Sequence, residues 1–221
     1  GSHTFQVQAI DAAGNVDGTP ASYTWVIDTD VPTVVISSAA PNPTKISPIP
    51  VTVQFSEPVN NFTASDISVS NGTVDSFVAV DGDTYTFNLT PTGQGVVTAD
   101  IAAGAAQDNS GNDNAAAAQF THTYDTVAPI PTINQAGGQT DPTNTSPIRF
   151  TVSFNEPVTG FGDSSADVTM TGSAPGSLAA AVSGSGSTYE VAISGMTGSG
   201  TVILTIPAGA AQDLATNARA P

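Results

Sequence analysis

Apolar residues recur at every second position through short stretches, and turn-forming residues separate the stretches. Phe5, Val7 and Ala9 share one parity. A turn cluster follows at Asp11-Ala12-Ala13-Gly14-Asn15, and Tyr23, Trp25 and Ile27 resume the alternation. This predicts two strands joined by a loop. Further strands are predicted at Val34-Val35-Ile36, at Val51, Val53 and Phe55, at Ile67 and Val69, and from Val74 to Val80. Three more follow at Tyr85, Phe87 and Leu89, at Val97, Ala99 and Ile101, and at Phe120, His122 and Tyr124. The separators carry the residues that turns need: Glu57-Pro58, Asn71-Gly72, Asp81-Gly82-Asp83 and Asp108 to Asn112. Alternation along each strand implies one buried and one wet face. The predicted core is Val53, Phe55, Ile67, Val69, Tyr85, Phe87, Leu89, Ile101 and Phe120.

The pattern then repeats. Asp28-Thr29-Asp30-Val31-Pro32 returns as Asp125-Thr126-Val127-Ala128-Pro129, Ser56-Glu57-Pro58-Val59 as Asn155-Glu156-Pro157-Val158, and the Ala-Gly-Ala-Ala-Gln-Asp run at 103–108 as 208–213. Phe150, Val152 and Phe154 stand for the second strand. Val168 and Met170, Tyr189, Val191 and Ile193, and Val202, Leu204 and Ile206 stand for later ones. An internal repeat of this length sets the organisation of the chain. The expected division is 1–27, a cloning remnant (Gly1-Ser2-His3) plus the strand pair of a preceding repeat; 28–124, repeat one; and 125–221, repeat two without its last strand. Seven short strands at this spacing fit an all-β fold of tandem immunoglobulin-like sandwiches. The strand pair at 4–27 is expected either to pack on repeat one or to complete repeat two of another copy by strand addition.

Charge narrows the function. Nineteen acidic residues face three basic ones, Lys45, Arg149 and Arg219, for a net charge of -16. No basic surface exists to follow a nucleic-acid backbone or an anionic membrane. The absence of cysteine removes disulfides, thiolate zinc and cysteine nucleophiles together, and no apolar run has the length of a membrane span. The two histidines, His3 and His122, supply too few parts for a histidine-based zinc or catalytic site, so no enzyme is expected.

The motifs Asp125 to Pro129, Phe55 to Val59, Ser65-Asp66-Ile67, Asn71 to Val74 and Ala103 to Asp108 resemble bacterial immunoglobulin-like repeats, found in tandem in large surface proteins and adhesins. The resemblance covers nearly the whole chain. It implies an extracellular or cell-surface stalk whose neighbours are further repeats. Repeat two departs from the pattern at Gly162-Asp163-Ser164-Ser165-Ala166 and at Leu214-Ala215-Thr216-Asn217, which replaces a Gly-Asn turn.

Strand directions gather the acids. Counting from the linker, strand two rises to Glu57, strand three starts beside Asp66 and strand six rises to deliver Asp108, so Asp28, Glu57, Asp66 and Asp108 are expected at one end. The same count gathers Asp125, Glu156, Asp167 and Asp213. Converging carboxylates raise one another's pKa unless a cation intervenes, and calcium prefers such oxygen donors. The expectation is a structural stalk or extender segment with calcium at its junctions. The alternatives are a carbohydrate- or host-protein-binding module and an accessory domain of a secreted hydrolase.

Overall fold

The computed structural model describes residues 1–162 and 166–220. Strands β1 (Ser2–Val7) and β2 (Ala21–Val26) form an antiparallel hairpin of their own, with Phe5 opposite Tyr23. Every residue of both strands is exposed, so the hairpin does not pack on the block that follows. Packing on repeat one, one of the two expectations for this segment, is therefore not what the fold shows.

The next block holds β3 (Val34–Ser37), β4 (Ile49–Phe55), β5 (Val59–Asn60), β6 (Ile67–Ser70), β7 (Gly72–Ala79), β8 (Thr84–Pro91), β9 (Gly95–Ile101), β10 (Gln107–Asp108) and β11 (Phe120–Tyr124). A four-stranded sheet ordered β3-β4-β8-β7 faces a three-stranded sheet ordered β11-β9-β6, and the short β10-β5 pair closes one end. This is the immunoglobulin-like β-sandwich. All seven predicted strands are present; β7 carries a bulge between Asp75 and Val78, so Val74 and Phe77, three positions apart, both pack against the core. The inward positions of both sheets form one core around Ile49, Val53, Phe55, Phe87, Leu89 and Val97. Of the predicted core only Val69 is not fully buried. Burying such side chains contributes roughly 1.5–3 kcal/mol each, which is how alternation becomes stability.

The second block repeats the layout with β12 (Pro131–Gln135), β13 (Ile148–Phe154), β14 (Thr169–Thr171), β15 (Gly176–Ser185), β16 (Thr188–Met196) and β17 (Ile203–Thr205). Its sheet β12-β13-β16-β15 matches β3-β4-β8-β7, and β14-β17 matches β6-β9. Among the described residues no strand stands where β11 stands in the first block. The 162–166 departure lies partly outside the described residues. Strand β15 went unseen in the sequence because its run of Gly, Ala and Ser shows no contrast between faces.

A buried polar residue closes the core of the first block. Asn114 accepts from Ala106 N–H (2.7 Å) and donates to the carbonyls of Ala102 (3.0 Å) and Ala115 (2.7 Å). Arg219 takes its place in the second block: its N–H bonds Ala211 O as that of Asn114 bonds Ala106 O. The Arg219 Nε, however, is buried with no partner. An unpaired buried polar group costs about 1–3 kcal/mol. Urea denaturation should therefore show Asn114→Ala lowering the stability of its block by that amount, and Arg219→Asn raising the stability of the second.

Candidate metal centres at the block ends

Three segments meet at one end of the first block, and each is held by a separate device. Glu57 follows β4 at a reciprocal clasp: Ser56 N–H donates to Thr33 O (2.9 Å) and Thr33 N–H to Ser56 Oγ (3.0 Å). Pro58 stops the strand, and the chain re-pairs as β5 with β10, which sets Asp108 opposite Val59. Beneath this pair Phe55, Phe62 and Tyr85 pack edge to face at 5.0–5.9 Å between ring centres. The Tyr85 hydroxyl then holds Val59 O at 3.3 Å. The aromatic core thus supports the acidic end.

Asp108 is buried and opens a five-residue turn. Its Oδ1 accepts from Ser110 N–H and Asn112 N–H, and its Oδ2 from the Asn112 amide, all at 2.8 Å. The same Asn112 amide reaches the linker at Asp28 O (3.3 Å), and Ser110 Oγ donates to the Asp28 carboxylate (3.1 Å). The result is that carboxylate oxygens of Asp28, Glu57 and Asp108 lie within 4.8 Å of one another.

The second block builds the same group from Asp125, Glu156 and Asp213, again within 4.8 Å. Thr159 and Gln212 exchange two backbone hydrogen bonds (2.7 and 3.0 Å) where β5 pairs with β10. Phe154, Phe161 and Tyr189 repeat the aromatic triad, and Tyr189 donates to Val158 O at 3.4 Å. Asn217 donates to the Asp213 carboxylate (2.8 Å) and to Asp125 O (3.0 Å). The departure at Leu214 to Asn217 is one of spelling only. Thr216 adopts φ 68°, the left-handed backbone that Gly111 holds at φ 90° in the first block.

A third copy of the turn stands between β1 and β2. Asn15 donates its N–H and its amide to the two Asp11 oxygens at 2.9 and 2.8 Å. Asp11, Asp108 and Asp213, each four residues before an Asn, are one motif, and that spacing was available in the sequence.

Asp66 and Asp167 do not join either group, and the expected sets shrink from four acids to three. Asp66 ends a 3-10 turn at Ala64–Asp66, and its carboxylate folds back to cap that turn, accepting from Thr63 N–H and Thr63 Oγ (both 2.8 Å). Asp167 is buried and accepts from Gly162 N–H at 2.7 Å.

Electrostatics separates the members by role. Burial, then the charges of Asp108, Asp28 and Asp30, push the Glu57 carboxyl up from its ordinary value. Burial, Asp125 and Asp213 do the same to Glu156. Asp108 goes down, because the Asn112 amide and the backbone N–H groups of its turn stabilise the anion. Each group therefore pairs turn-held aspartate with a glutamate that carries the repulsion. All donors are hard oxygens, and oxygens on opposite sides of a calcium ion sit about 5 Å apart, given bonds of about 2.3–2.6 Å. The groups fit such an ion.

Residues 28–124 match the family model of the bacterial Ig-like domain. Neither the curated proteins nor the solved structures yielded a match. Among the described residues no helix is long and apolar enough to cross a membrane.

The opposite shifts predict a two-sided pH profile in chelator. Glu57 and Glu156 bind their protons more tightly in the folded state, so stability falls as pH rises through the window above the ordinary glutamate value. Asp108 binds its proton less tightly when folded, so stability is lost as pH falls through the window below the ordinary aspartate value. Thermal melting across pH should peak between the two windows. Glu57→Gln with Glu156→Gln should flatten only the neutral side.

Proposed function

We propose that the chain is a stalk or extender segment of a secreted or surface-anchored bacterial protein, and that calcium stiffens its junctions. The carrying observation is that one carboxylate of each group belongs to the linker, and the others to the end of the block it enters. A cation bound by Asp125, Glu156 and Asp213 ties the linker to the second block, as one bound by Asp28, Glu57 and Asp108 does for the first. The chemistry it supplies is charge neutralisation and oxygen coordination, with no reaction to catalyse. The reading places the protein outside the cell, where free calcium is plentiful, and makes neighbouring repeats its partners.

Contacts between the blocks support a stiff junction. Lys45 Nζ donates to Thr216 O at 2.6 Å, reaching from the first block to the turn that carries Asp213. Gln94 grips the linker from the other side: its amide donates to Thr126 Oγ1 and its oxygen accepts from Thr126 N–H (3.1 Å). Asp125 N–H is held by Thr44 O at 2.8 Å. The linker is hydrogen-bonded to both blocks, and the carboxylates sit where one more bond would lock it.

Calorimetric titration of the intact chain with calcium, with magnesium in a parallel arm, is the direct test. Binding at two sites is expected, lost one site at a time in Glu57→Gln and Glu156→Gln. Ligand at about 100 times Kd should add about 2.7 kcal/mol of stability per site, and small-angle scattering should report a narrower shape distribution than in chelator. Unchanged melting and scattering between calcium and chelator would refute the reading.

A further inference from the structure

The two sandwiches present different flanks. In the first block β6 and β7 form the side opposite β3 and β11, and in the second block β14 and β15 form it. This side runs along the strands, away from the block ends where the linkers enter. In the first block it is acidic and interrupted. Asp66 precedes β6, Asp75 sits in β7, and Asp81 and Asp83 follow β7. A bulge between Asp75 and Val78, with Ser76 at φ 53°, breaks the β7 ladder at mid-strand. Charge and bulges are the devices by which an edge strand refuses a further partner.

The matching edge of the second block lacks them. From Val168 to Gln212 the only charged residue is Glu190, and it is paired with Arg149. In a chain of net charge -16 this side is electrically quiet. Strand β15 spans ten residues and is the longest among the described residues. Its pairing with β16 is regular from Ala179 to Ser185, and the one irregularity lies at its start. β16 takes one side of it, and among the described residues no strand takes the other. The free side is a row of backbone N–H and C=O groups open to pairing. Leu178, Ala180 and Val182 lean on the core of the block, while Ala179, Ala181 and Ser183 are exposed on the outer face.

The strand is also its own complement. About Ala180 it reads alike in both directions: Ala179 answers Ala181, Leu178 answers Val182, Ser177 answers Ser183 and Gly176 answers Gly184. Residues opposite one another in an antiparallel pair share a face. A two-fold axis at Ala180 meets that condition, because burial alternates without a break from Leu178 to Val182. Inward Leu178 then faces Val182, and outward Ala179 faces Ala181.

We propose that β15 pairs with β15 of a second copy of this chain, antiparallel and centred on Ala180. The second blocks of the two copies then share one continuous sheet, β12-β13-β16-β15 from each. Completion of the ladder and burial of the Leu178 and Val182 flanks drive the contact. Direction favours it as well. Antiparallel pairing sends the acidic ends at Asp125, Glu156 and Asp213 to opposite ends of the pair, where a parallel contact would stack them. The contact is isologous and closes at two copies. On the stalk reading the two chains run in opposite directions, as stalks from facing surfaces do. The pairing itself does not rest on that reading.

Sedimentation of the intact chain in chelator, where the junction sites play no part, tests the pairing. Mass should double with rising concentration and stop there. Each copy carries -16, so salt should shift the equilibrium toward the dimer as the range of repulsion shrinks from about 10 Å at 0.1 M to about 3 Å at 1 M. Ala179 and Ala181 are exposed, so charges placed there spare the fold of the single copy, which thermal melting checks. Ala179→Asp with Ala181→Asp sets like charges opposite each other twice and should be monomeric. Ala179→Asp with Ala181→Lys sets opposite charges at the same two places and should dimerise again, now less at high salt. A mass that stays at one copy at every concentration and salt would overturn the proposal. Growth beyond a dimer, or a dimer untouched by the paired aspartates, would overturn it too, since another surface would then be in contact. A Lys-paired variant that stays monomeric would refute the two-fold register and the proposal with it.

Discussion

The structure depends on one side-chain amide per junction. Asn112 spans the carboxylate of Asp108 and the carbonyl of Asp28, and Asn217 spans Asp213 and Asp125 in the same way. This amide is the point at which a turn near the end of a block grips the linker that entered it 84 residues earlier in the first block and 92 in the second. It acts with Ser110, which donates to the Asp28 carboxylate in the first block, and with Thr44, whose carbonyl holds Asp125 N–H in the second. A neutral donor suits the task. It stabilises the turn aspartate as an anion and still reaches a carbonyl, whereas a lysine or arginine there would neutralise the cluster and leave a cation nothing to do.

The cost of that arrangement falls on the glutamates. Asp108 is wrapped in donors and goes down in pKa, so its charge is permanent at neutral pH. Glu57 and Glu156 sit in no such turn, and only the Asn155 side chain offsets the push on Glu156. They meet the turn aspartate and the linker aspartate across a short gap and go up. The fold places a buried, fixed anion beside a strained one, and it does so on a rigid base, because the Phe-Phe-Tyr triads fix the strand that follows each glutamate. Repulsion held in place by packing is what a bound cation can relieve, and in the proposed stalk that relief would be the energetic basis for stiffening.

How much of this was legible follows from which physical signal each part sends. Alternation gave the strands of the first block, since every inward residue from Val53 to Phe120 had a polar neighbour to contrast with. It failed for β15, where Ala, Ser and Gly look alike on both faces. Strand direction placed six of eight acids, because topology fixes where strand ends lie. It misplaced Asp66, whose carboxylate is captured three residues away by Thr63, a local hydrogen bond that no count of strand directions contains. The β5-β10 pair was also invisible, being two residues long, yet it is what sets Asp108 beside the Glu57 step. The Asp-to-Asn spacing of four was written three times in the chain, and only its geometry showed why the Asn matters.

The junction also explains why the last strand of a block and the first acid of the next are consecutive. Tyr124 ends β11 and Asp125 opens the next group, with Thr44 bonded to both sides of this step: its N–H to Thr123 O and its carbonyl to Asp125 N–H. Tension along the chain therefore leaves the first block through a strand held on its flank and enters the second at a residue already tied into that block's turn. There is no slack residue between them to extend. The same continuity governs the exposed hairpin, where Ile27 leads directly into Asp28. Cohesion within a block and spacing between blocks therefore come from one stretch of backbone.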